Sequence, residues 1–426
     1  MATVVEAFDE TASDKGLSAR RRGVVFASTI GTSLSLTQTF LGVFGIALVP
    51  ISKDFGWSRT LVSGVMSLTF LKSLALAFAV GWLLDRFGPR RVLLTSLVLY
   101  AGALLMFAMA PDNVLVFYGL FALVCMFGAP TASTTFSKAL AGWFDEGRGA
   151  VMGLAAGVGS GAGSALFPLL AGSLLPILGW RGVFASVAGI VLTLGVGAIF
   201  FLFHDPPLKR DDPRPLDMSE AAVGRGHTLS QALAEPTFWL LVASIGMSAG
   251  CMTAMFSMMA PVAQGEGFSL KQAVAAVTVF GIVGALAQWL IGALIDRFSR
   301  PLIMAPFYLV GALGLWLIHH GGGPPALFVA AALMGISVGA EYSALPLLLS
   351  RYFGVAHFGK IACLVYGVVA LLTGLIPVGM NVVFDATGAY GPALTAIEIA
   401  LLVATALILP LPSYRNRSSR DGRSKS

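Results

Sequence analysis

Charged side chains are scarce in this sequence. Asp, Glu, Lys and Arg make up 11% of its 426 residues, against roughly 25% in a soluble domain. Hydrophobic residues reach 57%, and the mean hydropathy is +0.85. A chain this poor in charge cannot cover a water-facing surface, so a water-soluble enzyme or binding module is excluded and lipid is the expected solvent. Cysteine is scarcer still. Cys125, Cys251 and Cys363 each lie inside an apolar run without ligand spacing, so neither a disulfide framework nor a metal site is expected. The formal net charge is +6, but the basic residues end apolar runs instead of gathering in a patch, which excludes a nucleic-acid partner. No cleavable leader is read: the first apolar run starts near Val24 and exceeds the core of a signal peptide, so it is taken as a retained helix.

What the chain has in abundance is long apolar runs. A membrane-crossing helix needs about 20 mostly apolar residues. On that rule twelve are expected, numbered here as helices 1 to 12: 24–50, 59–84, 91–110, 114–140, 149–176, 183–203, 237–263, 271–295, 301–319, 325–350, 361–383 and 392–411. They divide the chain into a tail over 1–23, a six-helix bundle over 24–203, a linker over 204–236, a second bundle over 237–411 and a tail over 412–426. The linker is rich in proline and in charge of both signs, a composition suited to a flexible connection. Of the 27 Lys and Arg, 22 fall in the tails and even-numbered loops. Only Lys53, Arg59, Arg181 and Lys271 border the odd-numbered loops, and Lys72 lies within helix 2. The positive-inside rule therefore places both termini in the cytoplasm, here of a bacterial inner membrane.

The two halves echo each other. Gly81-Trp-Leu-Leu-Asp85-Arg86-Phe-Gly88-Pro-Arg90-Arg91 follows helix 2, and Gly292-Ala-Leu-Ile-Asp296-Arg297-Phe-Ser-Arg300 follows helix 8. Gly142-Trp-Phe144 with Arg148 after helix 4 is matched by Arg351-Tyr-Phe353 with Lys360 after helix 10, and Pro168 in helix 5 by Pro377 in helix 11. A duplicated bundle with matching loops is the sequence pattern of a rocking transporter.

The first of these phrases resembles the loop 2–3 signature of the major facilitator superfamily, and the second its loop 8–9 counterpart. Phe55-Gly-Trp-Ser-Arg59, Gly179-Trp-Arg-Gly-Val-Phe184, Phe238-Trp239, Arg351-Tyr-Phe-Gly354, Phe358-Gly-Lys360 and Asp385-Ala-Thr-Gly-Ala-Tyr390 resemble the branch of monocarboxylate porters and oxalate/formate-type antiporters. The resemblance implies an all-α integral membrane fold of twelve helices in two pseudo-symmetric halves, acting as a monomer. It also implies gate residues at the signature loops: Asp85 at the N-terminus of helix 11, Asp296 at that of helix 5, Arg86 and Arg90 paired with Asp145 or Glu146, and Arg148 and Arg297 beside them. The sequence departs from the branch in three places. Its helix 8 arginine is here Gln288, the acidic partner one turn earlier is Gly284, and helix 1 reads Leu36-Thr-Gln-Thr39 where a lysine is common.

Charges within a bilayer are costly and call for an account. Lys72 is read as attracting an anionic group, and Glu341, near the middle of helix 10, as the proton carrier; the alternatives are that the two neutralise each other or that Lys72 snorkels outward to the periplasmic interface. In the resembled fold helices 1, 4, 7 and 10 line a central cavity. Thr131, Thr134, Thr135 and Lys138 form a polar stripe on helix 4, either a cavity wall or a set of helix–helix hydrogen bonds. Gln38, Thr131, Thr135, Gln288, Tyr342, Tyr366 and Asn381 join Lys72 as candidate substrate ligands. The glycines of helix 5 (157, 159, 161 and 163) lack a P-loop lysine and are read as close packing. Met247, Met252, Met255, Met258 and Met259 on helix 7 supply either an adaptable cavity wall or core packing. No nucleophile–base pair or cofactor motif is present, so an enzyme is not expected. The expected function is alternating-access transport of a small organic anion with protons, a bulkier or aromatic carboxylate being favoured over lactate. The alternative is a proton-driven exporter of amphipathic drugs or metabolites.

Overall fold

The computed structural model describes residues 15–67, 76, 79–84, 86–144, 148–205, 227–295, 300–354 and 358–412. Among these there is no strand, and ten helical runs are long and apolar enough to cross a membrane. One of them, Val151–Leu202, spans 52 residues and breaks at Gly179, whose φ of 64° and ψ of 179° are not helical. Only glycine adopts that conformation without strain, so the run is helices 5 and 6 in sequence. Helix 2 starts with Arg59–Ser63 and a tight turn over Gly64–Ser67; much of the rest of 59–84 lies outside the described residues.

The other helices follow the apolar runs, and their ends have local causes. Helix 3 (Pro89–Ala108) and helix 7 (Pro236–Gly265) open on proline, whose missing N–H costs nothing in a first turn. Helix 4 starts at Val114, where the Asn113 side chain accepts from the Val116 amide at 3.1 Å. Helix 1 continues to Phe55, five residues beyond expectation, and stops where Gly56 turns left-handed at φ 68°. Helices 8 (Leu270–Ile295), 10 (Gly323–Phe353), 11 (Phe358–Thr387) and 12 (Gly391–Ile408) each lie within three residues of their expected bounds at most ends, and helix 9 is a short turn plus Ala305–His320.

One expectation needs correcting. The linker was expected to be flexible as far as residue 236, yet Leu229–Ala234 is a helix closed by a capping box between Thr228 and Gln231. Its ends are joined by His227 and Glu235 at 2.9 Å, and the His227 amide donates to the Phe353 carbonyl at 2.9 Å. Residues 206–226 lie outside the described set.

The chain forms two compact units, residues 1–210 with 273–278 and residues 211–272 with 279–426. In the first, helix 5 lies directly on helix 1: a Cβ on Gly159 would sit 2.5 Å from the Thr29 carbonyl oxygen, and one on Gly163 2.4 Å from that of Ser33. In the second, helix 10 lies on helix 8 in the same manner. A Cβ on Gly335 would sit 2.7 Å from the Phe280 carbonyl oxygen, and one on Gly339 2.4 Å from that of Gly284. Both pairs have the four-residue spacing that lets helix backbones touch in lipid, where van der Waals contact replaces the hydrophobic effect as the force between helices.

The two family-like phrases of the first unit meet at one end of its bundle. The Asp54 carboxylate accepts from Trp180 Nε1 at 3.0 Å and forms an ion pair with Arg181. The Arg181 guanidinium lies 4.3 Å from the Trp180 ring and 5.3 Å from that of Phe55. Phe55, Trp57, Phe107, Phe117 and Phe184 complete the knot, with Phe107 and Phe184 edge-on at 5.0 Å.

Substituting leucine at Gly163 or Gly339 is expected to abolish a monodisperse size-exclusion peak, because backbone occupies the space; Gly157→Leu, which meets nothing within 4 Å, should leave it intact. In thermal-shift measurements Trp180→Ala is expected to lower the melting temperature by several degrees, and by more than Asp54→Asn, whose partner Arg181 keeps its aromatic contacts.

Candidate functional site

Helix 1 is interrupted near its middle. Regular helix ends at Ser33 and resumes at Gly42, with a π turn over Thr37–Leu41 between. Helix 4 is interrupted as well, at Ala129–Thr131, before restarting as Ser133–Trp143. Pro130 accounts for the second break, since it has no N–H and its ring clashes with the preceding turn. The two breaks touch: the Leu36 amide donates to Thr131 Oγ1 at 3.1 Å, and that hydroxyl donates to the Gly128 carbonyl at 2.7 Å. Beside them Ser35 donates to the Gln38 side chain, and Thr39 shares a 2.6 Å hydrogen bond with Tyr100. Discontinuous helices at membrane depth are tolerated where side chains re-satisfy the backbone or a cavity is lined.

In the second unit Glu341 is 1% exposed. Its Oε1 accepts from the Ser248 hydroxyl of helix 7 and, at 3.4 Å, from the Ser337 hydroxyl one turn away, while Oε2 has no partner. Helix 9 closes the third side: a Cβ on Gly311 would lie 2.8 Å from Ser337 Oγ and 3.3 Å from Met252 Sδ. Cys251, Tyr308 and Tyr342 are near enough for the charge of Glu341 to act on them. Among the described residues no cationic side chain pairs with it. The carboxyl group therefore lies inside the second unit, at the junction of helices 7, 9 and 10. The next residue takes the open side instead. Tyr342 is 43% exposed, its hydroxyl 3.2 Å from Thr253, with the 45% exposed Tyr366 nearby.

The departures on helix 8 have a physical counterpart. A Cβ on Gly284 would already lie 3.2 Å from Val338 Cγ1 and 3.4 Å from the Gly335 carbonyl oxygen. A side chain there would need Val338 to give by a few tenths of an ångström, because helices 8 and 10 cross closely at this point. Gln288, half-buried, has its backbone nitrogen against Gly339 in the same crossing.

Other candidates turn out to be occupied within the bundle. Asn381 is wholly buried, accepting from Tyr390 at 2.7 Å and donating to the Pro377 carbonyl at 2.8 Å, so its amide is used in holding helix 11. Thr131 is spent on the two breaks, whereas Thr135 is 1% exposed with a hydroxyl that has no partner. Met252, Met255, Met258 and Met259 are fully buried and pack the core. The partners expected of Arg90, Asp145 and Glu146, lie outside the described residues, but two of its other contacts are described. Its amide donates to Asp205 at 3.0 Å and its guanidinium to the Phe200 carbonyl at 2.7 Å, because the end of helix 6 offers carbonyls with no helical partner. Arg86 stacks over Trp82 and Phe87 at 5.2 and 5.6 Å. Lys72, Asp85, Asp145, Asp296 and Arg297 lie outside the described residues, and Arg148 is described only as the first residue of helix 5.

Ser248 and Ser337 were not singled out by the sequence. Ser337 carried a signal, four residues before Glu341; Ser248 reaches it from another helix and carried none. The helix 4 break was signalled by Pro130 alone.

A family model described as the Major Facilitator Superfamily matches residues 25–377. The Escherichia coli (strain K12) protein named Uncharacterized MFS-type transporter YhjX is 24% identical over 362 residues, covering 84% of this chain and 86% of that one. The 4-hydroxybenzoate transporter PcaK of Pseudomonas aeruginosa is 23% identical over 410 residues, covering 86% and 87%. Among solved structures, a bacterial homolog of the human lysosomal transporter Spinster superposes with a TM-score of 0.68 at 16% identity, over 93% of this chain and 97% of that one, a likeness of fold. With the family model spanning most of the sequence and the helical architecture matching, this chain belongs to the Major Facilitator Superfamily and is a multi-pass membrane transporter, not an enzyme.

Proposed function

We propose that the protein moves a small organic anion, with an aromatic carboxylate as the favoured class, together with protons and by alternating access of its two halves. The observation that carries the proton part is Glu341: a buried carboxyl group that, among the described residues, is held by serine hydroxyls, with one oxygen unpartnered. Such a group can take up a proton and return it when its surroundings open, without first breaking an ion pair. The anion part rests on the resemblance to carboxylate porters and on the similarity to a protein named a 4-hydroxybenzoate transporter. In this reading Tyr342, Tyr366, Gln38 and Gln288 contribute to substrate contact along with Lys72. The signature-loop charges Asp85, Arg86, Arg90, Asp145, Arg148, Asp296 and Arg297 serve the gate, and both termini face the cytoplasm of a bacterial inner membrane. Burial of the helix 7 methionines in the core weighs against the drug-exporter reading, which needs them on a pliable binding wall.

Purified protein in liposomes loaded with a pH-sensitive dye provides the test. Benzoate, 4-hydroxybenzoate or oxalate added outside is expected to acidify the interior; silence to all three with a response to cationic drugs would reverse the assignment to an exporter. An inside-alkaline gradient should speed uptake of the active acid, whereas an exporter working by proton antiport would show the opposite sensitivity.

Glu341→Gln is expected to keep counterflow exchange of labelled substrate within about twofold while losing uphill accumulation, since the amide preserves shape but carries no exchangeable charge. Loss of both activities, with the protein still monodisperse, would count against Glu341 as the proton carrier.

A further inference from the structure

The restart of helix 4 has an unusual property for a segment at membrane depth. Ser133–Trp143 is eleven residues long, begins well inside the apolar run Val114–Ser137, and has alanine at its N-cap with no side-chain cap. Within their own helix the amides of Ser133 and Thr134 have no acceptor, and Ala132, Ser133 and Thr134 are exposed. The partial positive charge of a helix start is thus presented, uncapped, on an exposed stretch of the chain.

A second observation points the same way. Thr135, the third residue of this helix, is 1% exposed and its Oγ1 has no hydrogen-bond partner. A threonine in a continuous helix donates to the carbonyl four residues back. Here that residue is Thr131, which belongs to the separate turn over Ala129–Thr131, so the break removes the usual acceptor. Every helical Cβ tilts toward the N-terminus of its helix, which directs the Thr135 hydroxyl back at the same break. A buried hydroxyl left without a partner is rare in folded proteins, and an incoming oxygen acceptor would satisfy it. The surroundings suit an anion, because no Asp or Glu occurs in helix 1 between Arg22 and Lys53 or in helix 4 between Asn113 and Trp143. Thr131 cannot compete for the position, being held by Leu36 and Gly128.

We propose that the carboxylate of the transported anion binds at this mid-helix start, accepting from the amides of Ser133 and Thr134 and from the hydroxyl of Thr135. The site supplies with backbone dipoles what an arginine on helix 8 supplies in the resembled porters, and it lies wholly within the first unit. It rests on the organic-anion reading and identifies the group that recognises the anion.

The test is calorimetric binding of 4-hydroxybenzoate, benzoate and oxalate to the purified full chain in nanodiscs, with 4-hydroxybenzamide as the uncharged probe. The wild type is expected to bind at least one of the acids and to bind the amide more weakly. Ala132→Asp places a carboxylate at the N-cap, where it occupies the free amides. It is expected to weaken acid binding roughly a hundredfold, while raising the melting temperature of the ligand-free protein as an added cap does. Thr135→Val should weaken binding roughly tenfold, the size of one hydrogen bond to a charged group, and Thr135→Ser should restore it. If the acids bind and either Ala132→Asp or Thr135→Val binds them as the wild type does, the site is wrong although the anion reading stands. If the wild type binds none of the three acids, the anion reading fails and takes the site with it.

Discussion

Hydrocarbon offers no partner to a peptide N–H or C=O, and this constraint organises the whole molecule. It makes every span a helix, because only a helix satisfies its own backbone within one segment. It also gives meaning to the interruptions of helices 1 and 4. At the meeting of helices 1 and 4, Thr131 re-satisfies one amide and one carbonyl across the gap. Such an arrangement survives in lipid only with polar groups gathered around it, and Ser35, Gln38, Thr39 and Tyr100 are those groups. The same shortage of partners makes the lone carboxyl of Glu341 conspicuous, since serine hydroxyls meet one of its oxygens and none meets the other.

Close contact between helices is the second organising element. In each unit a pair of glycines four residues apart lets one helix lie against the carbonyls of another. In the second unit this contact falls at Gly284, where the resembled branch carries an acid. The crossing is tight at this departure from the family pattern and disfavours a larger residue there. Close packing of helix 10 on helix 8 and the placement of Glu341 two residues past Gly339 belong to one construction, because the crossing fixes which face of helix 10 turns inward.

The parts legible in the sequence were those set by the solvent. Span positions, the turn at Gly179 and the packing role of Gly159 and Gly163 follow from length, hydropathy and side-chain size, which are local properties. Less was legible where two helices meet. Ser248 is an ordinary serine in helix 7 until helix 10 brings Glu341 to it, and Arg90 gave no sign that it would reach the end of helix 6. The Asn381 amide looked available to a substrate because its partner Tyr390 lies beyond the end of the same helix. The capped helix at Leu229–Ala234 was hidden by the disorder-like composition of the residues before it, although Thr228 and Gln231 had the spacing of a capping box.

The knot of Asp54, Trp180 and Arg181 has a consequence for how the first unit is made. Its hydrogen bond joins residues 126 positions apart, one at the end of the first helix and the other at the entry to the sixth. Chains are synthesised from the N-terminus, so helices 1 to 4 reach the membrane before Trp180 exists. Until the sixth helix follows, Phe55 and Phe107 lack the Trp180 ring that packs on both of them. Closing so long a loop is slow compared with forming the helices themselves. The half-bundle is thus a late product of its own biosynthesis, complete at that end only once the sixth helix has been made.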